Sequence, residues 1–328
     1  MSDLLIIDAP SVRKLLTMPL CMDAMKAAAV AVTRKAVTVP LRRSVSLHDG
    51  SGSLLLMPGS SLGPDTYGAK LISLHAANVD RGLPVIQGFI SLFDHGTGAP
   101  IAIIHGAALT AIRTAAASGM ATQLLARKDV QTHGIFGAGV QASTHAAAVL
   151  AARPNVKETI IWARNEMKAE ELANKLSDEF NTYVRATNDK KEAARCDVVT
   201  TVSGASSPLV FGKWLTAGAH LNIVGAHTAD AREVDTQTIL NSAVYVETVD
   251  TAFKEAGDLI IPEQEGVFSR NDIAGEIGDV LLGNKSGRES DDQITLYKSL
   301  GNAAQDIHAG WAVYREALDK KIGVSVPF

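Results

Sequence analysis

The chain divides into two differently patterned halves, and together they predict an α/β protein: a doubly wound parallel-sheet (Rossmann) domain beside a mixed α/β domain. Three observations carry this reading. Beyond residue 129 the order strand, Gly-rich turn, helix repeats; before it, strand-length apolar runs alternate with turn residues; and one strand–turn–helix unit carries Gly137-Ala138-Gly139-Val140-Gln141-Ala142.

In the first half, apolar runs at 44–47, 53–57, 67–75, 85–93 and 100–104 are expected as strands. The breaks between them carry Asp49-Gly50-Ser51-Gly52, Pro58-Gly59 and Asp94-His95-Gly96-Thr97-Gly98, residues that favour hairpins and hence a largely antiparallel or mixed sheet. Residues 107–127 read as one Ala-rich helix with Leu109, Ile112, Ala116, Met120 and Leu124 along its apolar stripe. Strands are then expected at 132–136, 159–163, 183–186, 197–202, 220–224 and 243–246, alternating with helices as a parallel sheet requires. A last helix, about 296–318, folds back on the first half.

Composition narrows the function. Of 328 residues, 46% are hydrophobic and 20% charged, enough apolar surface to offset the ordering entropy that keeps disordered chains unfolded. The net charge of −4 is the wrong sign for a protein that coats nucleic acid. Cys21 and Cys196 form no CxxC pair, and no apolar run approaches the ~18 residues of a membrane span. The start, Met1-Ser2-Asp3-Leu4, lacks the basic and apolar regions of a signal peptide, so a cytoplasmic protein with no membrane partner is expected. The nine histidines show no HExxH or similar spacing, and no metal is expected.

The G-x-G-x-x-A at 137–142 follows the apolar strand ending Ile135-Phe136 and opens a helix that stops before Pro154. In that setting Gly137 permits the tight turn, Gly139 lets the backbone approach a pyrophosphate, and Ala142 lets helix and strand pack closely. The helix N-terminus offers unpaired N–H groups and a partial positive charge to the phosphates. The next strand ends Trp162-Ala163-Arg164-Asn165, without the acid that would bind the ribose hydroxyls of NAD. Arg164 suits a 2′-phosphate, which favours NADPH and leaves NADH open. Asn165 suits either a ribose contact or a helix cap.

Leu109-Thr110-Ala111-Ile112-Arg113-Thr114-Ala115-Ala116, the glycine motif, Pro40-Leu41-Arg42, Met57-Pro58, Gly68-Ala69-Lys70, the Asp94…Thr97-Gly98-Ala99-Pro100 turn and Ser299-Leu300-Gly301 occur in order. In these segments the chain resembles the ornithine cyclodeaminase/mu-crystallin family from about residue 40 to 310. The resemblance implies a dinucleotide domain, 127–298, inserted in a substrate and dimerisation domain made of 1–126 and 299–328, and a homodimer. It implies cofactor contacts from Thr114, Gly137, Ala138, Gly139, Val140, Gln141, Ala163, Arg164, Asn165, Thr201, Val202, Val224 and Gly301. It also implies that Arg42, Lys70 and Arg113 gather around a substrate carboxylate, and that the chemistry occurs at the α-carbon of an amino acid or its imine.

The residues agree with that role. Arg113 interrupts an apolar helical stretch and should face an anion, because a buried unpaired guanidinium is costly; a structural ion pair is the alternative. Lys70 sits in a strand beside Leu71-Ile72, where it points either inward or to solvent. One departure stands out. Cyclodeaminases of the family carry a proton-transferring aspartate after the fifth strand of the dinucleotide domain, and here Gly225-Ala226-His227-Thr228 places His227 at that position. The expected reaction is therefore NAD(P)H-dependent reduction of a cyclic imino acid, with Lys70, His227 or His48 as the proton source and Arg113 as the carboxylate anchor. An alanine-dehydrogenase-type reaction, ornithine cyclodeamination and non-catalytic binding of a small anion are the alternatives.

Overall fold

The computed structural model describes residues 3–328. It contains two compact units: the chain as far as Arg113 together with Gly301–Phe328, and Thr114–Leu300.

The first unit is built on β1 (Asp3–Ile7), β2 (Val37–Thr38), β3 (Arg43–Ser46), β4 (Ser53–Ser61), β5 (Thr66–Leu74), β6 (Ile86–Asp94) and β7 (Pro100–His105), in the spatial order β1-β7-β6-β5-β4-β2, with β3 also on β4. β1 runs parallel to β7, while β4, β5, β6 and β7 pair antiparallel. Alternation along these strands sorts the two faces. Met57, Lys70, Ile90 and Ile104 stand opposite one another across β4 to β7, and all are buried. The helix Ala303–Lys320 packs along β4, β5 and β6, and Met18–Thr33 packs against that helix. The neighbouring row, Leu56, Leu71, Phe89 and His105, lies on the other face, where Leu56 and Phe89 are exposed.

Pro58-Gly59 is not the break expected from the sequence but lies within β4, opposite Ala69 and Gly68. β3 pairs with residues 53–56 and β2 with 60–61, so Pro58 falls where one side of β4 has no strand partner. That is where a residue without an N–H is tolerated.

The second unit holds β8 (Thr132–Phe136), β9 (Glu158–Trp162), β10 (Tyr183–Thr187), β11 (Val198–Thr201), β12 (His220–Ile223), β13 (Ser242–Val246), β14 (Ile273–Glu276) and β15 (Ile294–Lys298). Every pairing is parallel, in the order β10-β9-β8-β11-β12-β15-β13-β14. Strands are added outward from β8 in one direction and then, from β11, in the other, which is the doubly wound topology expected. Both faces are covered: Ile135 packs with Ala142, Ala146 and Ile161, while Phe136 packs with Val199, Leu221 and Leu296. β16 (Val324–Pro327) returns to the first unit and pairs antiparallel with β1.

The sequence reading omits β14 and merges β15 into the last helix, which in fact starts at Ala303. Leu296 and Tyr297 are fully buried between β12 and β13, so this run has no polar alternation to separate a strand from a buried helix. The helix Gly106–Leu125 ends without a glycine cap; Arg288 and Arg153 donate instead to the carbonyls of Leu125 and Ala126, each at 2.8 Å. Among the described residues, no single helix is long and apolar enough to cross a membrane.

Candidate active site

The row of inward residues on β4 to β7 is apolar except for Lys70, whose burial needs a partner. The covering helix supplies one. Asn302 caps that helix by accepting from the Gln305 N–H, which sets Gln305 and Asp306 in its first turn. Lys70 Nζ lies 2.8 Å from Asp306 Oδ2, and Arg113 Nε donates to Asp306 Oδ1 at 3.0 Å. A terminal nitrogen of Arg113 donates to Gln305 Oε1 at 3.1 Å. Arg42 donates to the Gly301 carbonyl at 3.3 Å, whereas the adjacent Arg43 is exposed. Gly301 has φ +75°, and a Cβ there would collide with the Arg113 guanidinium, so glycine is required on both counts.

This cluster lies wholly in the first unit. Lys70 is 2% exposed, and burial, reinforced by Arg113 and Arg42, lowers its pKa to about 8, with Asp306 opposing. Burial alone would raise the Asp306 carboxyl, but Arg113 and Lys70 outweigh it and hold the pKa below the usual carboxylate value. The helix N-terminus favours the same charge. Two buried cations, Lys70 and Arg113, thus share one resident carboxylate, a balance that suits a small anionic ligand.

In the second unit the strand ends are in register: Trp162, Phe136, Thr201, Ile223 and Lys298 form one row across β9, β8, β11, β12 and β15. Gly137, Ala163, Val202 and Val224 directly follow four of them, at the carboxyl edge where doubly wound sheets take ligands. Gly137 has φ +138°, and a Cβ there would lie 2.9 Å from the Val202 carbonyl oxygen. A Cβ at Gly139 would meet no protein atom within 4 Å, and no side chain caps the helix Val140–Ala152 that follows. Gln141 Oε1 is buried without a hydrogen-bond partner. An open approach and an uncapped helix start, whose free N–H groups donate, fit a dinucleotide pyrophosphate.

The remaining expected residues are placed as follows. Arg164 is exposed beyond β9; Asn165 accepts from the Lys168 N–H at 3.1 Å and caps the helix Glu166–Phe180. Thr201 Oγ1 donates to Glu233, and the Val224 N–H donates to the Thr201 carbonyl. Thr114 is half-buried on the helix that carries Arg113, and Gly301 belongs with Arg42 and Arg113 in the first unit rather than on the carboxyl edge. His48 sits in the exposed turn between β3 and β4, without a bond to the cluster. His227 is exposed in the second unit, its Nδ1 3.0 Å from the Gly225 carbonyl, and Asp230 accepts from Thr228.

Sequence reasoning missed Asp306, Gln305 and Glu233. The signal for Asp306 was present: a charge within Ala303-Ala304-Gln305-Asp306-Ile307, the same irregularity that singles out Arg113.

The profile of the ornithine cyclodeaminase/mu-crystallin family matches residues 3–321. A Δ1-pyrroline-2-carboxylate reductase of Bacillus cereus is 34% identical over 327 residues, covering 99% of this chain and 100% of its own. The structure of the Thermococcus litoralis Δ1-pyrroline-2-carboxylate reductase in complex with NADH and L-proline superposes with a TM-score of 0.94 at 34% identity, covering 98% of this chain and 100% of that one. An archaeal alanine dehydrogenase dimer with bound NAD superposes at 0.92 with 28% identity, over 99% of each chain. With the motifs, the doubly wound unit and the end-to-end matches in agreement, this chain belongs to the ornithine cyclodeaminase/mu-crystallin family.

Proposed function

We propose that this protein is an NAD(P)H-dependent imine oxidoreductase acting on CH–NH bonds, which reduces a cyclic imino acid, Δ1-pyrroline-2-carboxylate and/or Δ1-piperideine-2-carboxylate, to L-proline or L-pipecolate. The observation that carries it is the buried Lys70–Asp306–Arg113 cluster with Arg42 beside it, in a chain 34% identical to a Δ1-pyrroline-2-carboxylate reductase along its whole length. Residues 127–298 carry the dinucleotide, and 1–126 with 299–328 bind the substrate.

Bound nicotinamide supplies the hydride. Arg113 and Arg42 take the substrate carboxylate and fix the ring, an orienting effect that lowers the barrier to reaction. Lys70 Nζ holds a proton for the ring nitrogen, and a pKa of about 8 leaves it protonated near neutrality yet able to release. Asp306 keeps Lys70 and Arg113 in place, so the cluster holds its geometry when the proton leaves. The exposed turn around His48 lacks such a partner, and Lys70 is the favoured donor. Deaminative cyclisation of ornithine requires a carboxylate where His227 stands.

NADPH is the favoured cofactor, supported by Arg164 at the tip of β9, where no acid stands. A homodimer is supported by the exposed apolar side chains Val45, Leu54, Leu56 and Phe89 on the uncovered face of the first sheet. Two buried free cysteines suit the reducing cytoplasm.

The test is an assay of the purified protein for NADPH and NADH oxidation with each imine, with pyruvate plus ammonia, and with ornithine in a separate ammonia-release assay. Turnover of the imines with little alanine formation and no ammonia from ornithine is expected; conversion of ornithine to proline and ammonia overturns the reading. An alkaline limb in kcat/KM near pH 8 belongs to Lys70 if Lys70→Arg removes it, and to another group if the variant keeps it.

A further inference from the structure

A second buried charge cluster lies in the second unit. Glu233 follows β12 by several residues and is fully buried. Its carboxylate gathers four donors from two strand tips. Oε2 accepts from Thr201 Oγ1 at 2.7 Å and from the Gly225 N–H at 2.6 Å; Oε1 accepts from the Ser203 N–H at 2.8 Å and Ser203 Oγ at 2.6 Å. Behind it, Asp258 Oδ1 accepts from the Glu233 N–H at 2.8 Å, and Asp258 Oδ2 pairs with Lys298 Nζ at 2.9 Å. Lys298 Nζ also donates to the Ala226 carbonyl at 2.6 Å. Lys298 and Asp258 are fully buried.

The chain of bonds closes on one turn. The Gly225 N–H is held by Glu233 and the Ala226 carbonyl by Lys298, so the peptide groups on either side of the Gly225–Ala226 peptide are clamped by buried side chains. His227 Nδ1 lies against the Gly225 carbonyl, which belongs to the peptide between the two that are clamped. Thr201, Ser203 and Gly225 all stand at the carboxyl edge, where this topology takes its ligand. Burying two carboxylates around one lysine is costly, and burial raises the Glu233 pKa. Apolar packing would hold a loop more cheaply, so the arrangement calls for a role that fixes position rather than merely adds stability.

We propose that Glu233 is a positioning residue for the reduction: its carboxylate fixes the tips of β11 and β12, and with Asp258 and Lys298 it locks the turn Gly225–Thr228 at the carboxyl edge of the sheet, where a dinucleotide would be held. The proposal rests on the reductase reading above. It acts through loop geometry, so it predicts a loss in turnover that exceeds any loss in cofactor binding.

The experiment compares the full-length wild type with Glu233→Gln, which keeps the shape but turns one acceptor into a donor facing donors. Expected are a drop in kcat of at least about tenfold, an NADH dissociation constant within about threefold, and amide exchange at least about tenfold faster at Ser203 and Gly225 only. A kcat within about twofold of wild type, unchanged exchange at those amides, or equal losses of kcat and NADH binding each overturn the proposal. Should Glu233→Gln fail to fold, Ser203→Ala removes one donor and keeps the charge; it should lower kcat about threefold with NADH binding unchanged, and wild-type kcat overturns the proposal. If the wild type reduces neither imine, the reductase reading fails, while the exchange comparison still decides whether the clamp exists.

Discussion

Each unit buries a knot of ionised side chains, and the two differ in what surrounds the surplus charge. In the first, Lys70 and Arg113 face a single carboxylate, Asp306. In the second, Glu233 and Asp258 share a single cation, Lys298. The negative surplus of the second unit is met by its own chain, through N–H groups of Ser203, Gly225, Glu233 and Val234 and two hydroxyls. In the first, two buried cations, Lys70 and Arg113, share Asp306, and Arg113 also donates to the neutral oxygen of Gln305. A buried charge answered by the protein's own donors is scaffold; two buried cations on one carboxylate keep a positive balance that suits a ligand of opposite charge.

The same contrast appears in the histidines and gives the largest expected effect. Burial lowers His133 to about 3, His145 to about 4 and His220 to about 3, all in the second unit; the first has only His308, at about 4. These pKa values are depressed, so the unfolded chain binds more protons between the folded values and about 6.5. Stability is therefore complete above pH 6.5 and is lost as the pH falls, by about 1.4 kcal/mol per pH unit for each histidine. With three against one, the second unit should lose about 4 kcal/mol per pH unit below pH 6 and open first. Amide exchange mapped from pH 7 to pH 5 checks this; earlier opening of the first unit breaks the comparison.

Arg113→Ala attacks the prepared cluster directly. It removes charged hydrogen bonds worth about 1.5–3 kcal/mol each toward the substrate carboxylate, so kcat/KM for the imine should fall at least about 100-fold. Cofactor binding, proposed for the other unit, should survive, as measured by NADPH fluorescence. Asp306, left with Lys70 alone, makes the variant about 3 kcal/mol less stable. Near wild-type kcat/KM shows instead that Arg113 serves only its ion pair with Asp306.

How much of this was legible follows from what each feature leaves in the chain. Gly137 announces itself because a backbone at φ +138° next to the Val202 carbonyl admits no side chain, and Lys70 and Arg113 are charges in apolar surroundings. Asp306 obeys the same rule but lies 193 residues from Arg113, and nothing local says that the last helix lies over β5. Glu233 left no local signal, because its partners come from two strand tips and its meaning is topological. β15 was hidden by burial on both faces, which erases the alternation that marks a strand.

Arg164 sharpens the comparison at the surface of the second unit, where a cation stands without a buried partner. If it pairs with a 2′-phosphate, Arg164→Asp should weaken NADPH by about 1.5–3 kcal/mol and NADH much less. Titration of both cofactors into wild type and variant reads this. Equal losses, or a wild-type preference for NADH, remove Arg164 from the specificity role.

Asn165 offers the smallest effect and the finest distinction. It stands beside Arg164, yet its side-chain oxygen already accepts from the Lys168 N–H as the cap of Glu166–Phe180, in keeping with a unit whose own chain satisfies its polar groups. Asn165→Ala should therefore cost about 1 kcal/mol of stability through the lost cap. Asn165→Asp keeps the cap, since a carboxylate accepts from the same N–H and suits the helix N-terminus, and it should leave stability unchanged. The two variants then separate the roles. A cap alone predicts that Asn165→Ala lowers the melting temperature with both cofactor affinities intact. A ribose or phosphate contact predicts that Asn165→Asp, though fully stable, loses NADPH more than NADH, because the new charge faces the 2′-phosphate. Calorimetry paired with cofactor titration decides, and loss of NADPH affinity in both variants would place Asn165 with Arg164 in the cofactor site.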